Sequence, residues 1–267
     1  MYNLVKSELY KLRYGKTYKG LIIFSLWCAL MTIIVSINSD TVHLELMSGT
    51  FNNRSYGFII NTFTNPQSLK GIEFFMSGLG WTPILVVGVM YLISFITCDE
   101  YGIGTYKNIL TYGHERSNVY IAKLLTVYIG ISVLICALPI ITLFIGTMMY
   151  GFGVSLKINI IIQMVKTLGS IIVIFMGIVS LFMLLATIIK NKALIVTIGI
   201  VFLISPMFLT NMIPFEILEY HPIFMLMDIC SQSADLDTIY KIIISSVSMI
   251  GVFTILGIYI FKNQDIK

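Results

Sequence analysis

The sequence predicts an all-α integral membrane protein: six transmembrane helices, an N-terminal interfacial elbow helix, and a broken re-entrant hairpin before the last span. Three observations predict it. The composition is too apolar for water, six apolar stretches have spanning length, and Lys and Arg are distributed one-sidedly. Of 267 residues, 57% are hydrophobic and 11% are charged, where a soluble domain carries about 25% charged residues. Lipid is the solvent that makes such a chain dispersible.

A span needs about 20 mostly apolar residues. Six stretches qualify, at about 21–37, 81–98, 120–150, 168–189, 193–212 and 242–261. The first begins only at Leu21 and lacks a small-residue cleavage site, so it reads as an uncleaved span. The third is overlong at about 1.5 Å rise per residue, and must tilt, project into water or kink at Pro139. The division is therefore an elbow over residues 1–20 and a transmembrane domain over 21–267.

Basic residues set the orientation. With the N-terminus inside, twelve Lys and Arg fall on inner segments. Five fall on outer ones: Arg54, Lys70, Lys157, Lys166 and Lys241. Asp and Glu run the other way, five inside and eight outside. Both termini are expected in the cytoplasm of a multi-pass plasma-membrane protein.

The N-terminal segment reads as amphipathic. Tyr2, Val5, Leu9 and Leu12 fall on one helical face, with Lys6 and Arg13 flanking it. Such a helix would lie in the interface with its cations near anionic lipid. The plainer reading is a positive-inside flank. In the outer segment 211–241, Pro214 and Pro222 bracket a short apolar piece, and a second runs from Ile223 to Ile229. Neither is long enough to span, which suggests a re-entrant hairpin or else a loop on the bilayer surface.

Several chemistries are excluded by their motifs. No G-x-x-x-x-G-K-[ST] loop occurs, so this chain cradles no nucleotide phosphates. No H-E-x-x-H occurs, and His43, His114 and His221 lie in separate loops, so no metal site is expected. Ser77-Gly78 lacks the preceding Gly of an intramembrane serine protease, Phe75 standing there, and no His in a span could activate the serine. Cys28, Cys98, Cys136 and Cys230 show no pairing pattern and read as small apolar residues. No catalytic residue, cofactor or nucleic-acid partner is expected. The span interiors read as free of ionisable groups, which argues against a proton-coupled carrier and suits an amphiphilic cargo.

The inner loop 99–119 is the most specific stretch. Thr105 can cap a short helix and Gly113 can end it, with Ile103, Tyr106 and Leu110 on one face. Ser117 can cap the next span. A short amphipathic helix held between two spans can transmit a push from a soluble partner, or can lie on the membrane with none.

Glu100 with Gly104-Thr105-x-Lys107, then Leu110, Arg116 and Lys123, resembles the inner-loop signature of type-2 ABC exporter permeases. The start, Ser7-Glu8-Leu9-Tyr10-Lys11-Leu12, resembles that family's elbow helix, and the broken hairpin is similar to its re-entrant element. The resemblance implies a permease subunit paired with a second permease copy, identical or related, and two copies of an ABC ATPase that holds ATP and Mg. It implies export of an amphiphilic cargo such as an antimicrobial peptide, a lipid-linked molecule or a drug, often as antibiotic immunity or resistance. Glu100, Gly104, Thr105, Lys107, Leu110 and Arg116 would then couple the chain to the ATPase. The alternative is a membrane sensor or assembly factor that transports nothing. On the outer side, Glu216 and Glu219 would form an acidic rim beside Phe215, Phe224, Met225 and Met227, attractive to cationic amphiphiles, or would simply be solvated loop charges.

Overall fold

The computed structural model describes residues 1–37, 44–51, 54–60, 69–153, 158–210, 212–231 and 236–264. Six helices are long and apolar enough to cross a membrane, as the sequence predicts: Lys16–Ile37, Thr82–Ile103, Arg116–Tyr150, Ile158–Ile189, Lys192–Leu209 and Asp237–Asn263.

The chain opens with α1 (Tyr2–Tyr14) and α2 (Lys16–Ile37). The break between them falls at Gly15, whose extended backbone stops α1 while its N–H donates to Lys11 O at 2.8 Å. The first helix thus ends at Tyr14, and the first helix of membrane-spanning length starts at Lys16, five residues before Leu21. The packed face also differs from the expected stripe. Leu4, Glu8 and Leu12 are buried, Val5 and Leu9 are half-buried, and Tyr2 is exposed. A charged residue, Glu8, occupies the centre of that face.

A two-stranded antiparallel hairpin follows, β1 (Leu44–Phe51) and β2 (Arg54–Ile60), with a bulge at Met47. Tyr56, Phe58 and Ile60 alternate onto its buried face. Next, α3 (Gly71–Leu79) is an apolar helix too short to span. It packs along α7 (Arg116–Tyr150), where a Cβ on Gly78 would lie 2.8 Å from Pro139 Cα, so only glycine permits the approach. Pro139 sits inside a continuous 35-residue helix, and Thr142 Oγ1 donates back to Pro139 O at 3.0 Å.

The second span is α4 (Thr82–Ile93), a π-helical turn (Ser94–Cys98) and α5 (Asp99–Ile103) in one unbroken run. The inner segment expected to begin at Asp99 is therefore still helix for another turn. Gly104 then adopts φ 76°, a left-handed conformation that glycine adopts without a Cβ clash, and α6 (Thr105–Thr111) starts at once.

The bundle is centred on α8 (Ile158–Ile189). Ile171, Ile174, Phe175, Ile178, Val179 and Phe182 follow helical spacing and are fully buried. In its most apolar stretch 67% of residues are buried, against 17% for α9 (Lys192–Leu209) and for the last span. Those two helices line the periphery and leave most of their apolar surface to lipid or another chain. The turn into α9 is Lys190-Asn191, with Lys190 at φ 53° and the Asn191 side chain accepting from Ala193 N at 3.0 Å.

The segment before the last helix forms α10 (Phe215–Leu218) and α11 (Pro222–Cys230), then α12 (Leu236–Asn263). Every residue of α11 is buried, and all but Asp228 and the N-terminal Pro222 carry apolar side chains or a thiol. Tyr56, Phe215 and Phe224 stack edge-on at 5.3 to 6.0 Å and join the β-hairpin to α10 and α11. All four cysteines are free, and Cys28, Cys98 and Cys230 are buried.

Candidate functional site

Both ends of the described chain meet at one end of the bundle, here the terminal end. Arg116 Nη1 donates to Lys262 O at 2.9 Å and to Gln264 O at 2.6 Å, closing the end of α12 onto the start of α7. These are carbonyls that a helix C-terminus leaves without intrahelical partners. Tyr101 Oη donates to Gln264 Oε1 at 2.9 Å beside them.

At this end lies a four-charge cluster drawn from three segments distant in sequence. Lys123 Nζ is 3.1 Å from Glu8 Oε2 and 2.5 Å from Glu100 Oε2, the second as an ion contact rather than an aligned hydrogen bond. Lys11 Nζ is 2.8 Å from Glu8 Oε1 and 3.1 Å from Glu100 Oε1. Each carboxylate therefore bridges both ammonium groups. The Lys123 side chain is 1% exposed and Glu8's is 5%, whereas Lys11's is 46% exposed. Lys123 also lies 5.1 Å from the centre of the Tyr106 ring, which brings α6 into the group.

The electrostatics follow from that geometry. Burial pushes the Glu8 carboxyl up, but Lys123 and Lys11 outweigh it and hold the group below the usual Glu range. Burial lowers Lys11, but its hydrogen bond and charge contact with Glu8, reinforced by Glu100, raise it above the ordinary lysine value. Glu8 and Lys11 are thus both held in their charged forms near neutrality, and the two carboxylates and two ammonium groups of the cluster match one for one. Next to it Lys192, at the start of α9, forms an ion pair with Asp99.

The predicted coupling residues divide among distinct positions. Glu100 belongs to the cluster. Gly104 is the left-handed joint. Thr105 is the first helical residue of α6 and does not cap it, since Gly104 precedes the helix. Leu110 is half-buried against the core, and Lys107 is exposed. Arg116 staples the chain's own C-terminal helix and does not reach Glu100. Ile103 is 78% exposed, so the face of α6 that packs inward is carried by Tyr106, with Ile103 outside it. Ser117 lies within α7, whose N-cap position is Glu115.

Glu8, Lys11 and Lys123 stand within the two signatures read from the sequence, but no site role was expected of them. The signal existed in the lone acid of a basic N-terminal helix and in Lys123, which falls within the third predicted span although it was counted with the inner flank. Its burial corrects the expectation of span interiors without charge.

At the opposite end a cavity of about 410 Å³ is lined by Glu219, Asp228, Asp237, Lys241, Tyr56 and Phe224. Glu219 of the predicted rim faces it, and Glu216 is exposed elsewhere. Phe224, Met225 and Met227 are core residues, not an open apolar surface, because α11 is enclosed. The α10 helix ends at Leu218, so Glu219 is its cap and shares no full helical face with Glu216. Among the described residues no group of His, Cys, Asp and Glu could hold a metal ion.

No protein-family model and no curated protein matches the chain. What the fold defines is a class: a multi-pass, six-helix membrane protein with a small two-stranded sheet.

Proposed function

We propose that the chain is the permease subunit of an ATP-driven ABC exporter in the cell membrane, its terminal end in the cytoplasm. One observation carries this reading. The Glu8–Lys11–Glu100–Lys123 cluster ties the N-terminal helix, the end of the second span and the start of the third into one unit. A displacement of any one of these segments must then move the others.

The surface that unit presents suits a soluble partner. Ile103 and Tyr112 are 78% and 84% exposed, with Lys107 exposed between them in sequence. Under this reading Ile103 and Tyr112 are the apolar groups that such a partner would cover. An ABC ATPase docking there would push α5 and α6 toward the spans. The chain itself lacks a phosphate-cradling loop, so ATP and Mg would be held by that partner. The cargo would be amphiphilic, entering near the apolar bundle and leaving past the carboxylate-lined cavity at the other end.

Inside-out vesicles carrying the chain and its ATPase should accumulate a fluorescent cationic amphiphile when ATP is added. Vesicles in which Glu100→Gln abolishes uptake while the protein stays folded would support the coupling role of the cluster. ATP-independent uptake, or none, would overturn the exporter reading.

A further inference from the structure

A groove runs from the ion cluster up the seam between α2 and α4. Its lower part, about 460 Å³, is lined by Leu12, Thr17, Leu92, Phe95 and Ile96, with Lys11 and Glu100 at its base. A second space of about 390 Å³ shares Thr17 and Phe95 with it and continues past Lys16, Gly20, Leu21 and Tyr91. Leu21 in turn borders a small void against Gly88 and Ile131. The groove thus begins among charges and becomes apolar along the spans. Both spaces lie in the size range of small-molecule sites.

The groove is open because of particular residues. Gly20 lines the second space and a Cβ there would meet no atom within 4 Å, so a side chain added at this position would enter that space. Tyr91 and Phe95 are 53% and 40% exposed along the opposite wall.

Charge selects the occupant. At the base of the groove Glu8, Asp99 and Glu100 are balanced by Lys11, Lys123 and Lys192. Lys16 lines the second space, and Arg13 and Lys19 stand next to it beside Tyr14, which lines the first; all three are exposed, and among the described residues none of them forms an ion pair. Arg13 and Lys19 instead flank the Tyr14 ring at 5.8 and 5.5 Å. The mouth is therefore basic over a balanced floor, and the walls beyond it are apolar.

We propose that this groove holds one phospholipid with an anionic headgroup, the headgroup on Lys16 with Arg13 and Lys19, and an acyl chain along Phe95, Tyr91 and Leu21. The site needs only the bilayer and does not depend on an ATPase. The bound lipid would wedge between the first and second spans directly above the cluster.

The test is native mass spectrometry of the full chain released from nanodiscs made of equal phosphatidylglycerol and phosphatidylcholine. The wild-type chain should retain one phosphatidylglycerol in preference to phosphatidylcholine. Lys16→Glu reverses a charge at the headgroup and should lower that preference about tenfold. Gly20→Leu fills the second space and should remove the retained lipid of either kind. Lys166→Ala, on the far half of α8, should change neither result. Equal retention of both lipids by the wild-type chain, no retained lipid, or an unchanged preference in Lys16→Glu would overturn the proposal. If Gly20→Leu does not fold, the Lys16→Glu comparison decides alone.

Discussion

Glu8 Oε2 and Lys123 Nζ lie 3.1 Å apart across the contact between α1 and α7, both side chains nearly shut off from solvent. Removing one partner of a buried pair leaves an uncompensated charge and costs about 3–5 kcal/mol, while an exposed pair is worth about 0–1 kcal/mol. Lys123→Met should therefore lower the thermal unfolding midpoint in detergent far more than Lys11→Met, although both lysines touch the same two carboxylates. Equal shifts would show that the burial of Lys123 does not govern the cluster.

Arg116 provides a second separation. Its guanidinium donates to two carbonyls at the end of α12, and a hydrogen bond from a charged donor contributes about 1.5–3 kcal/mol where it is shielded and less where it is exposed. Arg116→Ala should speed amide exchange over Tyr259–Lys262 while leaving α1 protected. Faster exchange in α1 instead would mean that Arg116 supports the ion cluster.

His221 sets an acid limit on the start of α11. Its Nδ1 accepts the Ile223 N–H at 3.3 Å and caps α11, and burial lowers its pKa from the usual 6.5 to about 4. The unfolded chain binds a proton as pH falls below about 6.5, and the folded chain resists until about 4. Stability from this group is thus complete above 6.5 and declines between 6.5 and 4, by at most about 3 kcal/mol. Exchange at Ile223–Met225 should rise over that window beyond its intrinsic rate. His221→Asn keeps a capping acceptor without titrating and should flatten the dependence. A wild-type profile flat over the window would contradict this.

Under the exporter reading, Glu219 and Glu216 should not be equivalent. Glu219 lines the cavity that Asp228 and Asp237 share, and Glu216 does not. Glu219→Gln should weaken export of a cationic amphiphile more than Glu216→Gln, with little effect on a neutral one, and the difference should shrink at high salt. Equal effects on both cargoes would leave these residues as solvated charges.

The spans were legible because lipid demands long apolar runs, and six such runs are hard to hide. Their edges were not. Lys16 to Gly20 continue the first span although they are polar, since a helix once begun extends past the apolar core. The β-hairpin was missed although Tyr56, Phe58 and Ile60 alternate as a half-buried strand requires. Three such residues between membrane stretches look like ordinary loop apolarity. The side chain of Arg54, counted among the outer basic residues, lies outside the described residues. The ion cluster was half legible. Glu100 was chosen from its motif, but Glu8 and Lys123 are 115 residues apart in the chain, and only packing of α1 on α7 brings them together.

Whether an ATPase docks on the terminal end is tested most directly by purifying the tagged chain from its native membranes in mild detergent. The account predicts that a separate chain bearing a G-x-x-x-x-G-K-[ST] loop comes with it, and brings vanadate-sensitive ATP hydrolysis. It further predicts that Ile103→Glu with Tyr112→Glu releases that chain, while Lys166→Ala keeps it. A folded chain that purifies with no such ATPase, or one that holds it equally well after the Ile103 and Tyr112 changes, would contradict the account.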